Sequence, residues 1–294
     1  MSDLPLYLGY RALAGILGVL PEAGMRRLGE ALGWSASFLA PGRMRLVQRH
    51  LERVTGRSSG LRPMARQAFA SYGRYWAEVF WVRPHRKAEF VAHTEVVNAG
   101  ELHRARDAGR GLIVALPHMG NWEAAGARAE AEGIPVLAAA EALANARIVD
   151  WFVGVRRAMG IEVVIAGAGN SVTAALARRL RAGGTVALVA DRDLSGRGID
   201  VEFFGERTTM PAGPVALAER TGAVLLPVGS YFNRGRGHRF VVHPQVEIPD
   251  SGDRAERISR ATQAFARALE SIIREAPEQW HLFQPNWPSD GEER

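Results

Sequence analysis

The chain has 294 residues, 47% of them hydrophobic and 23% charged, which is enough apolar material for a sizeable core in one large or two small domains. It contains no cysteine, which excludes disulfides, thiol nucleophiles and cysteine-ligated metals. The formal charge is +6 and every basic residue except Lys87 is an arginine, a forked donor suited to phosphate, so acidic lipids or a phosphorylated co-substrate are the expected partners. Nucleic acid is not expected, because the arginines are dispersed and no zinc-finger spacing, basic heptad region or aromatic RNA-binding signature is present.

Residues 4 to about 92 read as helical throughout, with apolar positions recurring every three or four residues and breaks at Pro21, Pro41-Gly42 and Arg62-Pro63. The first two segments, Leu6 to Leu20 and Ala23 to Leu39, are apolar, contain Tyr7, Tyr10 and Trp34, and carry Arg11, Arg26 and Arg27. That is the pattern of an interfacial membrane anchor, and equally of helices packed on a following domain. The longest early apolar run, Ala12 to Leu20, is too short to span a bilayer, and Met1 to Pro5 lacks the basic flank of a signal peptide.

From about residue 96 the pattern changes. Short apolar runs at Gly111–Leu116, Ile134–Ala138, Ile161–Ile165, Thr185–Ala190 and Val224–Val228 alternate with helical stretches, as buried parallel strands joined by crossover helices do. Arg239–His243 and Gln245–Ile248 read as later, partly antiparallel strands, and Arg254–Arg274 as a long closing helix. The expected fold class is α/β: a central, mostly parallel sheet flanked by helices, with an all-helical N-terminal portion. Residues 1–92 form the membrane-associating helical part, 93–288 the α/β core and 289–294 a polar tail, all within one compact domain.

The informative segment runs from Leu116 to Gly126. An apolar strand ends at Pro117, His118 stands at its carboxyl end, Gly120 permits a tight turn and Asn121 is a good helix N-cap. Open parallel sheets hold ligands at this edge, which places the imidazole in a cleft, where it can act as a general base. Glu123, in the first helical turn, is one candidate to orient the ring. Asp191, just past another apolar strand, is the other, provided that the two strands are neighbours. In the bland reading, His118 merely caps the turn, Glu123 only complements the helix dipole, and Asp191 opens a flexible loop.

Arg197 in the loop after Asp191, Arg156 in the helix around Trp151–Met159, and Arg220 after the Pro211–Ala218 helix are candidates for binding a phosphorylated acyl carrier, although each alone reads as a surface arginine. Glu141, after the second strand, is a further polar group at the same edge. Backbone N–H groups of Gly120 to Trp122 are expected to receive an oxyanion.

Other chemistries fit less well. Gly167-Ala168-Gly169-Asn170-Ser171-Val172 is a partial dinucleotide fingerprint lacking its third glycine. No Gly-x-Ser-x-Gly elbow follows a strand-like run and no His-Glu-x-x-His zinc motif occurs, so neither a serine hydrolase nor a metal site is expected. A non-catalytic lipid-binding protein would also account for the apolar front end and basic surface.

The run from His118 to Glu123 resembles the His-four-residues-acid motif of the lysophospholipid acyltransferase superfamily, in the branch containing the lipid A late acyltransferases. Asp191–Leu194, Val201–Gly205 and Pro277–Pro285 are similar to segments of the phosphatidylinositol mannoside acyltransferases of that branch. The resemblance implies transfer of a long acyl chain, typically palmitoyl, from acyl-CoA to a mannose hydroxyl of a phosphatidylinositol mannoside. It implies an enzyme peripheral to the cytoplasmic face of the cell membrane, with acyl-CoA as co-substrate and no further cofactor. It also implies His118 as base, Glu123 as the motif acid, Asp191 as the partner of the histidine, and Arg156, Arg197 and Arg220 as carrier contacts. Another glycolipid or a lysophospholipid is the alternative acceptor.

Overall fold

The three- and four-residue spacing of apolar positions in the first third of the chain produces four helices in the computed structural model, which describes residues 4–140, 145–165, 172–193 and 196–291. These are α1 (Leu4–Val19), α2 (Glu22–Leu39), α3 (Pro41–Thr55) and α4 (Leu61–Trp81). Helices α2 and α4 meet backbone to backbone. A Cβ on Gly33 would stand 2.1 Å from the carbonyl oxygen of Phe69, and one on Gly73 would stand 2.2 Å from that of Gly29. Any side chain there would push the pair apart.

The α/β part follows as α5 (Lys87–Ala92), β1 (Thr94–Val97), α6 (Ala99–Asp107), β2 (Leu112–Leu116), α7 (Trp122–Ala131), β3 (Val136–Ala140), α8 (Ala146–Ala158), β4 (Ile161–Ile165), α9 (Val172–Arg181) and β5 (Thr185–Val189). A hairpin of β6 (Ile199–Phe203) and β7 (Glu206–Met210) precedes α10 (Gly213–Thr221), β8 (Val224–Phe232), β9 (His238–Val242) and α11 (Arg254–Glu275). Among the described residues seven strands form one sheet in the order β1-β9-β8-β2-β5-β3-β4, parallel except for the β8/β9 pair. All nine residues of β8 are buried, because helices cover both faces. Ile113, Val186 and Leu225 face Phe265 and Leu269 of α11, whereas Leu112, Val224 and Leu226 share the opposite core with Phe80 of α4 and Ala127 of α7.

The fold class and the helical N-terminal portion are as the sequence predicts, and three local features differ. Gln245–Ile248 is not a strand: His243 N–H donates to Pro227 and Val246 N–H to Leu225, but Pro227 and Pro244 have no N–H with which to complete a ladder. The β6/β7 hairpin turns through Phe204 and Gly205, both at positive φ (53° and 77°), which is the backbone of a type I′ turn. A phenylalanine where that turn ordinarily has asparagine or glycine hides the hairpin from sequence reading. The four-residue β1 is too short to show alternation.

Among the described residues no helix is long and apolar enough to cross a membrane. Among the described residues the exposed large apolar side chains all fall in α1 and α2, including Leu8, Ile16, Val19, Leu32, Trp34 and Phe38.

The described part of the polar end is docked. The Asp290 carboxylate, in a short 3₁₀ turn, accepts from His50 Nε2 (2.9 Å), Arg53 Nη1 (3.0 Å) and the backbone N–H of Asn286 (2.9 Å) and Trp287 (3.2 Å). Burial alone would raise its pKa, but the His50 bond and the backbone donors outweigh it and hold the carboxyl well below its ordinary range. A depressed folded-state pKa contributes stability that is present above the unfolded value of about 4 and is lost as pH falls towards the folded one. Asp290→Ala is expected to lower the unfolding free energy by about 2–3 kcal/mol at neutral pH, and by less in acid, in urea titrations. A change within about 0.5 kcal/mol, as for an ordinary surface position, would show that the docked end adds nothing.

Candidate active site

Strands β2 and β5 are parallel neighbours in register Leu116↔Val189, so the residues two places beyond each, His118 and Asp191, emerge side by side at the carboxyl edge of the sheet. His118 Nδ1 lies 2.6 Å from Asp191 Oδ1. The other oxygen, Oδ2, accepts from Trp280 Nε1 at 2.8 Å. The Asp191 side chain has no exposed surface, while 29% of that of His118 remains exposed. Burial by itself would raise the carboxyl pKa, but the charge and hydrogen bond of His118, with that of Trp280, outweigh it and lower the pKa. A buried carboxylate on Nδ1 fixes the tautomer with Nδ1–H towards Asp191 and leaves Nε2 as the proton acceptor.

The turn after His118 is held from three sides. Gly120 has φ 56°, and a Cβ there would stand 2.3 Å from the Ser230 carbonyl oxygen, so only glycine fits. From the C-terminal side, Gln279 carbonyl accepts from Gly120 N–H, His281 N–H donates to His118 carbonyl (2.7 Å), and Met119 bridges to Trp280. From α4, the buried Glu78 takes the Asn121 amide (2.7 Å), Arg74 Nε (2.8 Å) and His238 Nε2 (2.8 Å). Asn121 meanwhile caps α7 by accepting from the N–H of Glu123 and Ala124.

Of the residues singled out in the sequence, the structure brings His118 and Asp191 together. Glu123 is committed elsewhere: it forms a forked pair with Arg156 of α8, with Nη2 to Oε1 at 2.7 Å and Nε to Oε2 at 3.1 Å. Its place in the first turn of α7 aims it at that helix, where a guanidinium matches both its oxygens. The charge of Glu123 accordingly raises the pKa of Arg156, which ties α7 to α8. Arg197 is exposed on the segment between Asp191 and β6. Arg220 is not at the site. It is exposed in the last turn of α10, which leads into the start of β8, at the edge of the sheet opposite to His118. Glu141, Leu194 and most of the Gly167–Val172 segment lie outside the described residues.

The expectation for the oxyanion donors also needs correction, since Gly120 N–H is taken by Gln279 and Asn121 N–H by Ser230 Oγ (3.1 Å). Trp122 N–H, at the first position of α7, has no intrahelical acceptor. Among the described residues no cluster of three or more His, Asp or Glu side chains is arranged to hold a metal ion.

Sequence reading missed Trp280, Gln279 and His281 as parts of the site, along with Glu78 and its partners. The first three stand in the Pro277–Pro285 segment, which carried a resemblance but no chemistry of its own. Glu78 left one faint signal, an acid in the apolar run Tyr75–Trp81.

Residues 5–289 match the family described as bacterial lipid A biosynthesis acyltransferase. The chain is 36% identical over 287 residues to the phosphatidylinositol mannoside acyltransferase of Mycolicibacterium smegmatis, spanning 96% of this chain and 91% of that protein. It is 36% identical over 277 residues to the protein of the same name from Mycobacterium tuberculosis (92% and 85%). It is 24% identical over 212 residues to a lipid A biosynthesis acyltransferase of Haemophilus influenzae (70% and 64%).

Glu78 offers a pH test of the hub behind the site. Its burial opposes ionisation, but the charges and hydrogen bonds of His238 and Arg74 win and lower its pKa from 4.5 to about 2. Its contribution to stability is therefore complete above about pH 4.5 and lost as pH falls towards 2. Urea midpoints of the wild type are expected to fall across that window more steeply than those of Glu78→Gln, which cannot ionise. Parallel curves would place the pH dependence elsewhere.

Proposed function

Since the chain belongs to the bacterial lipid A biosynthesis acyltransferase family, we propose that it is a glycolipid acyltransferase that moves a long acyl chain, palmitoyl foremost, from acyl-CoA to a mannose hydroxyl of a phosphatidylinositol mannoside. The observation that carries the mechanism is the partly exposed His118 ring, anchored through Nδ1 on the buried Asp191. A sugar hydroxyl is almost fully protonated at neutral pH and attacks a thioester slowly. His118 Nε2 removes its proton as the oxygen bonds to the thioester carbon, and Asp191 stabilises the imidazolium that forms. The carbon–sulfur bond then breaks, and the imidazolium returns the proton to the departing thiolate, so no covalent acyl-enzyme is formed. Trp122 N–H, left without an intrahelical acceptor, is the backbone donor that this mechanism assigns to the oxyanion. Glu123 acts through Arg156, holding the turn and α8 in place.

Arg156 and Arg197, on the segments flanking this edge, serve the phosphates of the donor. The acyl-CoA co-substrate supplies all the chemistry beyond the protein's own groups. The apolar faces of α1 and α2 support seating on the inner leaflet as a peripheral protein of the cytoplasmic face.

His118→Ala is expected to lower kcat by about 10²–10⁴-fold in protein whose circular dichroism is unchanged. Wild-type turnover would remove the base from the mechanism. Asp191→Asn is expected to cost a large part of the same factor and Glu123→Gln much less. The reverse order would make Glu123 the partner of the histidine. Mass spectrometry of products from mixed acyl donors and glycolipid acceptors, with palmitoylated phosphatidylinositol mannoside as the expected dominant product, tests the substrates.

A further inference from the structure

A cavity of about 390 Å³ lies between α1 and α8, beside the end of α4, and neither His118 nor Asp191 lines it. Its walls are Ala14 and Gly15 of α1, Gly154 and Ala158 of α8, and Trp151, with Arg11 and Arg83 at its polar side. The volume lies within the usual range of about 300–1,000 Å³ for ligand sites.

Two features suggest that this space is kept open. Gly15 and Gly154, both exposed at the mouth between α1 and α8, are interior helical glycines, where glycine is unfavourable, yet a Cβ on either would meet nothing within 4 Å. Neither allows a close approach and neither has a positive φ, so both simply leave room. Trp151, packed edge-on and stacked against Tyr10, Phe152 and Phe80, makes one wall rigid.

The charge at the mouth points to an anion. Arg83 is fixed by donating to the carbonyls of Phe80 (2.7 Å), Val82 (2.9 Å) and Ala14 (2.6 Å). Arg86 is held nearby by Gly18 carbonyl (2.9 Å) and by the Trp81 ring. Burial first, then the charges of Arg86 and Arg11, lowers the pKa of Arg83, as expected where cations outnumber their counter-charges. Among the described residues Asp150 is the one carboxylate on the cavity wall, to set against the cations Arg11 and Arg83. On the same helix as Arg11, the exposed Leu8, Ile16 and Val19 set this mouth beside the apolar surface.

We infer that this cavity binds an anionic phospholipid of the supporting bilayer, with its phosphate against Arg11 and Arg83 and one chain lying over Trp151 between α1 and α8. Both halves of such a molecule are matched, a negative head by the paired guanidinia and an apolar tail by the small-residue walls. The site is a second lipid contact, distinct from both reactants of the acyl transfer, and it would anchor and orient the protein on acidic membrane.

Binding can be measured without turnover, so the outcome does not depend on the chemistry at His118. The full chain is titrated with short-chain phosphatidylglycerol, short-chain phosphatidylcholine and inorganic phosphate, each kept monomeric, and dissociation constants are read by calorimetry. Phosphatidylglycerol is expected to bind about tenfold or more tightly than either of the others. Arg11→Gln, an exposed position, is expected to remove the preference over phosphatidylcholine. Gly154→Leu is expected to weaken phosphatidylglycerol about tenfold, and Gly15→Leu fills the same space from α1 should the first variant fail to fold. Equal affinity for the two lipids, or for phosphate and phosphatidylglycerol, would overturn the inference. So would wild-type binding by both the charge and the filling variants. If Gly154→Leu instead shortens the acyl chain that is transferred, the cavity belongs to the acyl donor and the inference is wrong.

Discussion

A carboxylate with no exposed side-chain surface has to find its solvation inside the protein, and Asp191 finds it in two donors, the His118 ring and the Trp280 indole. An unpaired charge there would cost several kcal/mol. The pairing therefore constrains far more than two side chains. It requires β2 and β5 to be adjacent and in the observed register, since a shift of one residue would send either side chain to the other face of the sheet. It requires the segment after α11 to return to the β2/β5 edge to deliver Trp280. And it decides the chemistry of the ring, because a histidine committed through Nδ1 to an anion has one nitrogen left for a proton from outside.

The same logic explains why so much structure converges on one turn. Between His118 and Asn121 the chain leaves the sheet through a left-handed glycine and enters α7 within three residues. Such a turn has few contacts of its own. Gln279 and His281 bind its carbonyl and N–H groups in the manner of an added strand, and the Gln279 amide also brackets Phe232 of β8. Glu78 secures the far end through Asn121 while its remaining acceptor capacity is filled by Arg74 and His238. A catalytic side chain held within fractions of an ångström needs support of this kind from rigid elements.

What was legible in the sequence follows from how far each signal reaches along the chain. The buried strands after residue 111 announce themselves, because a strand covered on both faces is a continuous apolar run. His118 announces itself because histidine, glycine, asparagine and an acid at a strand's carboxyl end are jointly hard to explain by packing. The choice between Asp191 and Glu123 was open, for it turns on which strands are neighbours and where a first-turn side chain points, and neither is written in spacing. Arg220 illustrates the same limit from the other side: a basic residue after a helix can stand at either edge of a sheet, and the direction of the chain through α10 puts it at the wrong one. Trp280 and Glu78 were invisible for a further reason. Their partners are 89 and 43 residues away, and a buried tryptophan or an acid in an apolar helix looks like core until its polar atoms are located.

Helix α4 links these arrangements into one. On one side Glu78, paired with Arg74, reaches the turn that carries His118 through Asn121. On another, Gly73 lets α2 approach until backbones touch, and Glu30 of α2 pairs with Arg74 at 3.8 Å. The outer surface of α2, with Leu32, Trp34 and Phe38 exposed, is the proposed membrane face. Between bilayer and imidazole there would then be only two helices in direct backbone contact and one ionic cluster, with no flexible linker. A rigid spacer of this sort fixes the height of His118 above the lipid surface, and an enzyme whose acceptor is a sugar tethered to that surface has only a narrow range of heights at which the hydroxyl can meet the base. The glycines at the α2/α4 contact, which contribute nothing to chemistry, are on this argument as much a condition of turnover as the carboxylate that orients the ring.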